Sequence, residues 1–178
     1  GDSGKFYQID ITLSDGSHYL SAEEEMLAVP TLDSVIIITE DEPTGPGTEE
    51  TYYTFDIFTD EPEGVGDTYQ WKTYINDQYQ FEARDLSFAD DRFVDGQYVH
   101  DYSVYDISAE DLEEKNSDNP NNPIFVTIEQ SKISNRYYDF LTLVFQQTIL
   151  VGGPFASPPA EIRGNVYKLG EDTETLAL

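Results

Sequence analysis

Along most of this chain, apolar residues alternate with polar ones and rarely recur at helical spacing. Tyr7, Ile9, Ile11 and Leu13 alternate with Gln8, Asp10 and Thr12, the period of a half-buried strand. Asp15-Gly16 follows, a pair that tolerates positive φ and predicts a tight hairpin turn. The run DSVIIITED, residues 33–41, is short and continuously apolar, as suits a strand covered on both faces. Residues 40–50, EDEPTGPGTEE, hold two prolines, two glycines and five acids, a composition that predicts a loop. Alternation resumes through Tyr53, Phe55 and Ile57, and again through Tyr69, Trp71, Thr73 and Ile75. QYQFEA reads as a return strand, turned at Asn76-Asp77.

GQYVHDYSVYDIS alternates without helical period, and NPIFVTIEQS is rich in β-branched residues, so both predict strands. Between them AEDLEEKNSDNPNNP begins as a short acidic helical turn and ends as a loop, because Asn and Pro break any continuation. One segment has a different period. Ile133, Tyr137, Phe140, Leu141, Val144 and Phe145 form an i, i+3/i+4 stripe, which predicts an amphipathic helix near residues 133–150. Ser131 or Ser134 is available as its N-cap. Gly152-Gly153 suits a left-handed C-cap and Pro154 forbids continuation, so Gly152, Gly153 and Pro154 are expected to end the helix. The predicted class is mainly β: an antiparallel β-sandwich or partly closed barrel with one amphipathic helix packed on it.

Charge narrows the partners. With 36 acids against 9 bases the net charge is −27, so nucleic acid and anionic lipid meet like charge on approach. Nucleic-acid binding is not expected. The 178 residues suffice for a proper core, and 13 tyrosines with 10 phenylalanines argue against disorder. With no cysteine, disulfides and thiolate metal sites are excluded. No apolar run approaches the ~20 residues a membrane-spanning helix needs.

Candidate chemistry is sparse. Only His18 and His100 occur, too few for an ordinary zinc site, and His100 sits in a strand pattern. No nucleophile elbow, P-loop, dinucleotide fingerprint or H-E-x-x-H is present, so no catalytic residue is assigned and no enzyme is expected. A carboxylate pair for glycoside hydrolysis remains a minor alternative, since among 36 acids some pair always lies at a usable separation. In ADDRFVDGQY, Asp90, Asp91 and Asp95 with Gly96 could wrap a calcium ion through carboxylates and a carbonyl. The competing reading is a turn at Asp95-Gly96 with Arg92 paired to a neighbouring Asp. No cofactor is expected, with calcium the one ion left open. The tyrosines at 52, 53, 69, 74, 79, 98, 102 and 105, with Trp71, read either as a sugar- or peptide-binding platform or as residues shared between core and sheet surface.

Three stretches, DDRFVDGQ, the helix ending in GGPFASPP and the following GNVYKLG, carry a resemblance to the bacterial family labelled domain of unknown function 4249. In that pattern a strand like GKFYQIDITLSDG closes an amino-terminal sandwich and a linker like VPTLDSV follows. A second β domain then bears the helix. The resemblance implies residues 1–30 as last strand plus linker, and residues 31–178 as a β-rich domain. It also implies a surface-exposed lipoprotein of the Gram-negative outer membrane, anchored through an upstream lipidated Cys, whose partner is a TonB-dependent transporter. Its substrate is unknown and no catalytic residue carries over. The expected function is non-catalytic: an accessory to the transporter, through irregular loops at residues 40–50 and 111–123. A calcium-binding adhesin or matrix module is the alternative.

Overall fold

The computed structural model describes residues 1–118, 120–148, 162 and 164–169. In chain order the elements are β1 (Phe6–Tyr7), β2 (Asp10–Thr12), β3 (His18–Ser21), β4 (Glu24–Glu25), β5 (Leu32–Gly45) and β6 (Thr48–Asp60). Then come β7 (Thr68–Ile75), β8 (Gln78–Tyr79), a 3-10 turn (Ala83–Asp85), β9 (Ser87–Asp90), β10 (Tyr98–Ser108), α1 (Ala109–Lys115), β11 (Val126–Lys132), α2 (Asn135–Thr148) and β12 (Val166–Lys168). The fold is mainly antiparallel β with two helices, and no closed barrel is present among the described residues. The described residues fall into two compact units, one from residues 1–28 with the carboxy-terminal part from 132 on, the other from residues 29–131.

In the first unit β1 pairs with β4, and β3 lies between β2 and β12. The single strand expected across Tyr7–Leu13 is instead two short ones. Side-chain bonds cause the break: Ser21 Oγ accepts from Ile9 N–H at 2.9 Å, and Gln8 Nε2 donates to the Ser21 carbonyl at 2.9 Å. The chain therefore changes partner between β1 and β2, and Tyr7, Ile9, Ile11 and Leu13 stay exposed rather than half-buried. The turn at Asp15-Gly16 is as expected, with Gly16 at φ +86° and Ser17 N–H donating to Asp15 Oδ1. Helix α2 starts where Ser134 caps it, its Oγ accepting from Tyr137 N–H at 3.3 Å. Leu141 is its buried residue, while Tyr137 is exposed and stacks on Phe140. The expected helix end at Gly152, Gly153 and Pro154 lies outside the described residues.

The second unit holds the main core. One sheet runs β10-β6-β5; another runs β11-β7-β8, with β9 also paired to β7. Phe55 and Ile57 of β6 and Val104, Tyr105 and Ile107 of β10 cluster with Tyr69, Trp71 and Ile75 of β7. Inward residues from two sheets sharing one cluster is the packing of a sandwich. Trp71 is fixed across its sheet, Nε1 donating to Gln130 Oε1 at 2.7 Å while Gln130 Nε2 donates to the Pro30 carbonyl at 3.0 Å. Asn76 and Asp77 take φ +49° and +65°, the paired positive values of a type I′ turn joining β7 to β8. Ser108 caps α1 through a bond from Asp111 N–H.

Two expectations fail here, both on β5. Residues 40–50 are not a loop: Glu40 pairs with Tyr52, Asp41 with Thr51, Glu42 with Glu50 and Pro43 with Glu49, up to Gly45 opposite Thr48. Pro46-Gly47 makes the turn, with Gly47 at φ +79°, the arrangement a type II turn needs. Pro43 is tolerated because β5 is an edge strand, where a missing N–H need break no ladder. The VIII run is also not covered on both faces. Val35, Ile36 and Ile37 are 41%, 38% and 61% exposed, and among the described residues β5 is the last strand of its sheet.

Candidate functional site

Strand pairing, rather than a linear motif, assembles the densest acidic group of the second unit. β6 ends at Asp60 and Glu61 follows it; its N–H donates to the Gln97 carbonyl at 3.0 Å. Thr68 at the start of β7 pairs with Asp90 at the end of β9. That register sets Asp67 beside Asp91, whose N–H donates to the Asp67 carbonyl at 3.0 Å. Carboxylate oxygens of Glu61, Asp67 and Asp91 all lie within 4.8 Å of one another. Asp91 is 2% exposed and Glu61 7%.

The group is internally hydrogen-bonded. Both oxygens of Asp91 accept from Gly66 N–H at 3.0 Å. Tyr69 donates its hydroxyl to Glu61 Oε1 at 2.9 Å, with Asp67 Oδ2 at 3.4 Å. Burial, followed by the bond to Glu61 and the two nearby negative charges, pushes the Tyr69 phenol well above the ordinary tyrosine range. Oxygens this close could surround a hard cation at 2.3–2.6 Å. Their present partners make them a knot that ties the turn at residues 62–67 to the turn at 91–96.

Of the candidates singled out in the sequence, only Asp91 belongs to this trio. Asp90 is held by Arg92 through Nε at 2.8 Å and through Nη2. Asp95 Oδ1 accepts from Gly64 N–H at 2.7 Å, and Gly96 takes φ +66°. Glu61 and Asp67 were missed because EPEGVGD reads as an ordinary turn. Only the pairing of β7 with β9, which brings Asp67 to Asp91, and the contacts at the end of β6, which bring Glu61, would have shown the group.

His100 packs edge-on against Tyr98 and Phe58, and His18 meets Asp10. The aromatic set divides: Tyr69, Trp71 and Tyr105 are core, Tyr53 packs against it, and Tyr79, Tyr98 and Tyr102 are partly exposed. Tyr79 has Tyr74 at 5.4 Å and Phe81 at 6.4 Å between ring centres, a short surface row. A cleft of about 370 Å³ opens beside β10 and α1, lined among others by Tyr52, Arg84, Ser103, Asp106, Asp111 and Lys115. Several of its polar groups are engaged: Arg84 pairs with Glu82 at 2.9 Å, and Ser103 Oγ donates to buried Asp56 at 2.6 Å.

These features define an acidic, mainly antiparallel-β protein whose buried carboxylates are held by its own amide and hydroxyl donors. The chain belongs to the family described as Domain of unknown function (DUF4249), whose family model matches residues 1–175. Neither a curated protein nor a solved structure matches it.

Proposed function

We propose that this chain is a non-catalytic, surface-exposed part of an outer-membrane lipoprotein that serves a TonB-dependent transporter, in substrate capture or as its binding partner. The setting comes from what the family resemblance implies. The observation that carries a recognition role is the arm formed by β5, Pro46-Gly47 and β6, in which Glu40, Asp41, Glu42 and Glu49 are exposed on a hydrogen-bonded ribbon. A paired ribbon holds its side chains in fixed register, so it presents charge at lower ordering cost than an irregular loop. Residues 111–123 are the second expected contact; the first five lie in α1 rather than in an irregular loop. With a net charge of −27 the globule is repelled by an anionic leaflet, so a lipid tether would hold it off the surface rather than in it.

The alternative, a calcium-binding adhesin or matrix module, would require Glu61, Asp67 and Asp91 to exchange their present donors for an ion, and is the weaker reading. The test is affinity purification of the tagged, lipidated protein from detergent-solubilised outer membranes. Recovery of a TonB-dependent transporter that declines as salt rises is expected, since contacts with exposed acids are screened. A protein that is unlipidated, or that brings no transporter at any salt, overturns the proposal.

A further inference from the structure

Among the described residues, strand β5 is the outermost in the order β10-β6-β5. On such a strand about every second residue points its N–H and C=O away from the sheet. Natural edges are blunted by shortness, lysines, prolines or bulges. β5 has 14 residues and no lysine. Its register irregularities fall only between Leu32 and Ser34 and between Pro43 and Gly45. The stretch between them pairs regularly with β6, from Ser34 opposite Phe58 to Pro43 opposite Glu49.

The face of β5 is as open as its edge. Val35 lies opposite Ile57 and Ile37 opposite Phe55, and residues directly opposite share a face. Ile57 and Phe55 are 0% and 4% exposed, Val35 and Ile37 41% and 61%. The apolar layer that forms the core under β6 therefore continues onto β5, where among the described residues no further strand flanks it. At the turn end of the arm Glu40, Asp41, Glu42, Glu49 and Glu50 gather, and no Lys, Arg or His occurs between His18 and Lys72.

We propose that β5 is a docking edge for an extended strand of another protein, apolar at alternate positions and carrying Lys or Arg where it passes the turn end of the arm. Main-chain bonds to β5 would supply binding, apolar side chains would cover Val35 and Ile37, and basic residues would meet the acids. Charge selects this occupant over a second copy of the chain, which would bring the same acids and another net charge of −27. The inference does not depend on the partner being a transporter.

The probe is a synthetic peptide of about ten residues, the upper length of common strands, alternating Val and Thr and ending in three Lys. Binding to the whole chain is followed by fluorescence anisotropy and by amide hydrogen exchange. The expected result is saturable binding that slows exchange within residues 34–42 and weakens with salt. Ile37→Lys, a change at an exposed position, should weaken it about tenfold or more, because it sets a charge against the apolar strand and like charges oppose the peptide's lysines. Glu40→Lys with Glu42→Lys should reverse the preference toward a peptide ending in three Glu. The proposal is overturned if the Lys peptide leaves exchange in 34–42 unchanged, if the Glu peptide binds the unaltered chain equally well, or if the chain self-associates through β5 at the concentrations used.

Discussion

Strands β5 and β6 are hydrogen-bonded to each other along nearly their whole length, and each carries apolar residues along that stretch, a run on β5 and alternate positions on β6. Their fates differ. Phe55 and Ile57 of β6 are core, while Val35 and Ile37 opposite them are open. Place in the sheet separates them, since among the described residues β6 has a neighbour on each side and β5 has one. The acids tell the same story. Glu61, just past the end of β6, is 7% exposed and receives the Tyr69 hydroxyl, whereas Glu40 and Glu42 on β5 are exposed. Burial on one strand demands partners; exposure on the other leaves side chains for use.

The largest break in this comparison comes from truncating matched residues. Ile57→Ala should cost about 2–5 kcal/mol, the range for emptying a buried aliphatic site. Ile37→Ala should cost well under about 1 kcal/mol, as for an exposed position. Chemical denaturation of both variants checks the pair, and equal losses would mean that β5 is covered. Next in size is Asp91→Ala, which leaves Gly66 N–H without its acceptor in the buried knot and should cost about 1–3 kcal/mol. The same denaturation measurement decides it. A change under a few tenths would show that the knot holds nothing.

A graded effect is expected on the alkaline side. Burial raises the phenols of Tyr69 and Tyr105, in both cases as the leading cause. A group whose folded pKa is raised keeps its proton longer when folded. Its contribution is thus fully present below the unfolded value of about 10 and is lost as pH rises beyond it. Melting temperature should fall above about pH 10, with part of the tyrosine absorbance change appearing only on unfolding. Tyr69→Phe should flatten that fall. The smallest effect is Ile37→Lys, expected to change stability by no more than about 0.5 kcal/mol, which is what makes it a clean probe of docking.

Much of the fold was legible because two periods separate cleanly. Alternation through 53–57 and 69–75 matched β6 and β7, and the stripe from 137 to 145 matched α2. Asn76-Asp77 and Asp15-Gly16 were read correctly because positive φ restricts residue type. The failures have a common cause. An apolar run such as VIII reports that a strand is favourable but not whether a neighbour covers it. Pro and Gly in EDEPTGPGTEE report a turn but not how far pairing runs on either side of it. Ser21 splits the strand expected at 7–13 through a side-chain bond that no period encodes. The acidic trio was illegible for the same reason: Asp67 meets Asp91 through the register of β7 against β9, and Glu61 joins them from the end of β6 through Gln97 and Tyr69.

Amide hydrogen exchange along β5 and β6 in the unbound chain tests the central claim most directly. An open edge predicts that β5 exchanges in an alternating pattern over residues 34–42, slow where N–H groups bond to β6 and fast between them, while the core stretch of β6 around 54–58 is slow throughout. Uniformly slow exchange along β5 would contradict it, since every amide of that strand would then have a partner and the edge would already be closed.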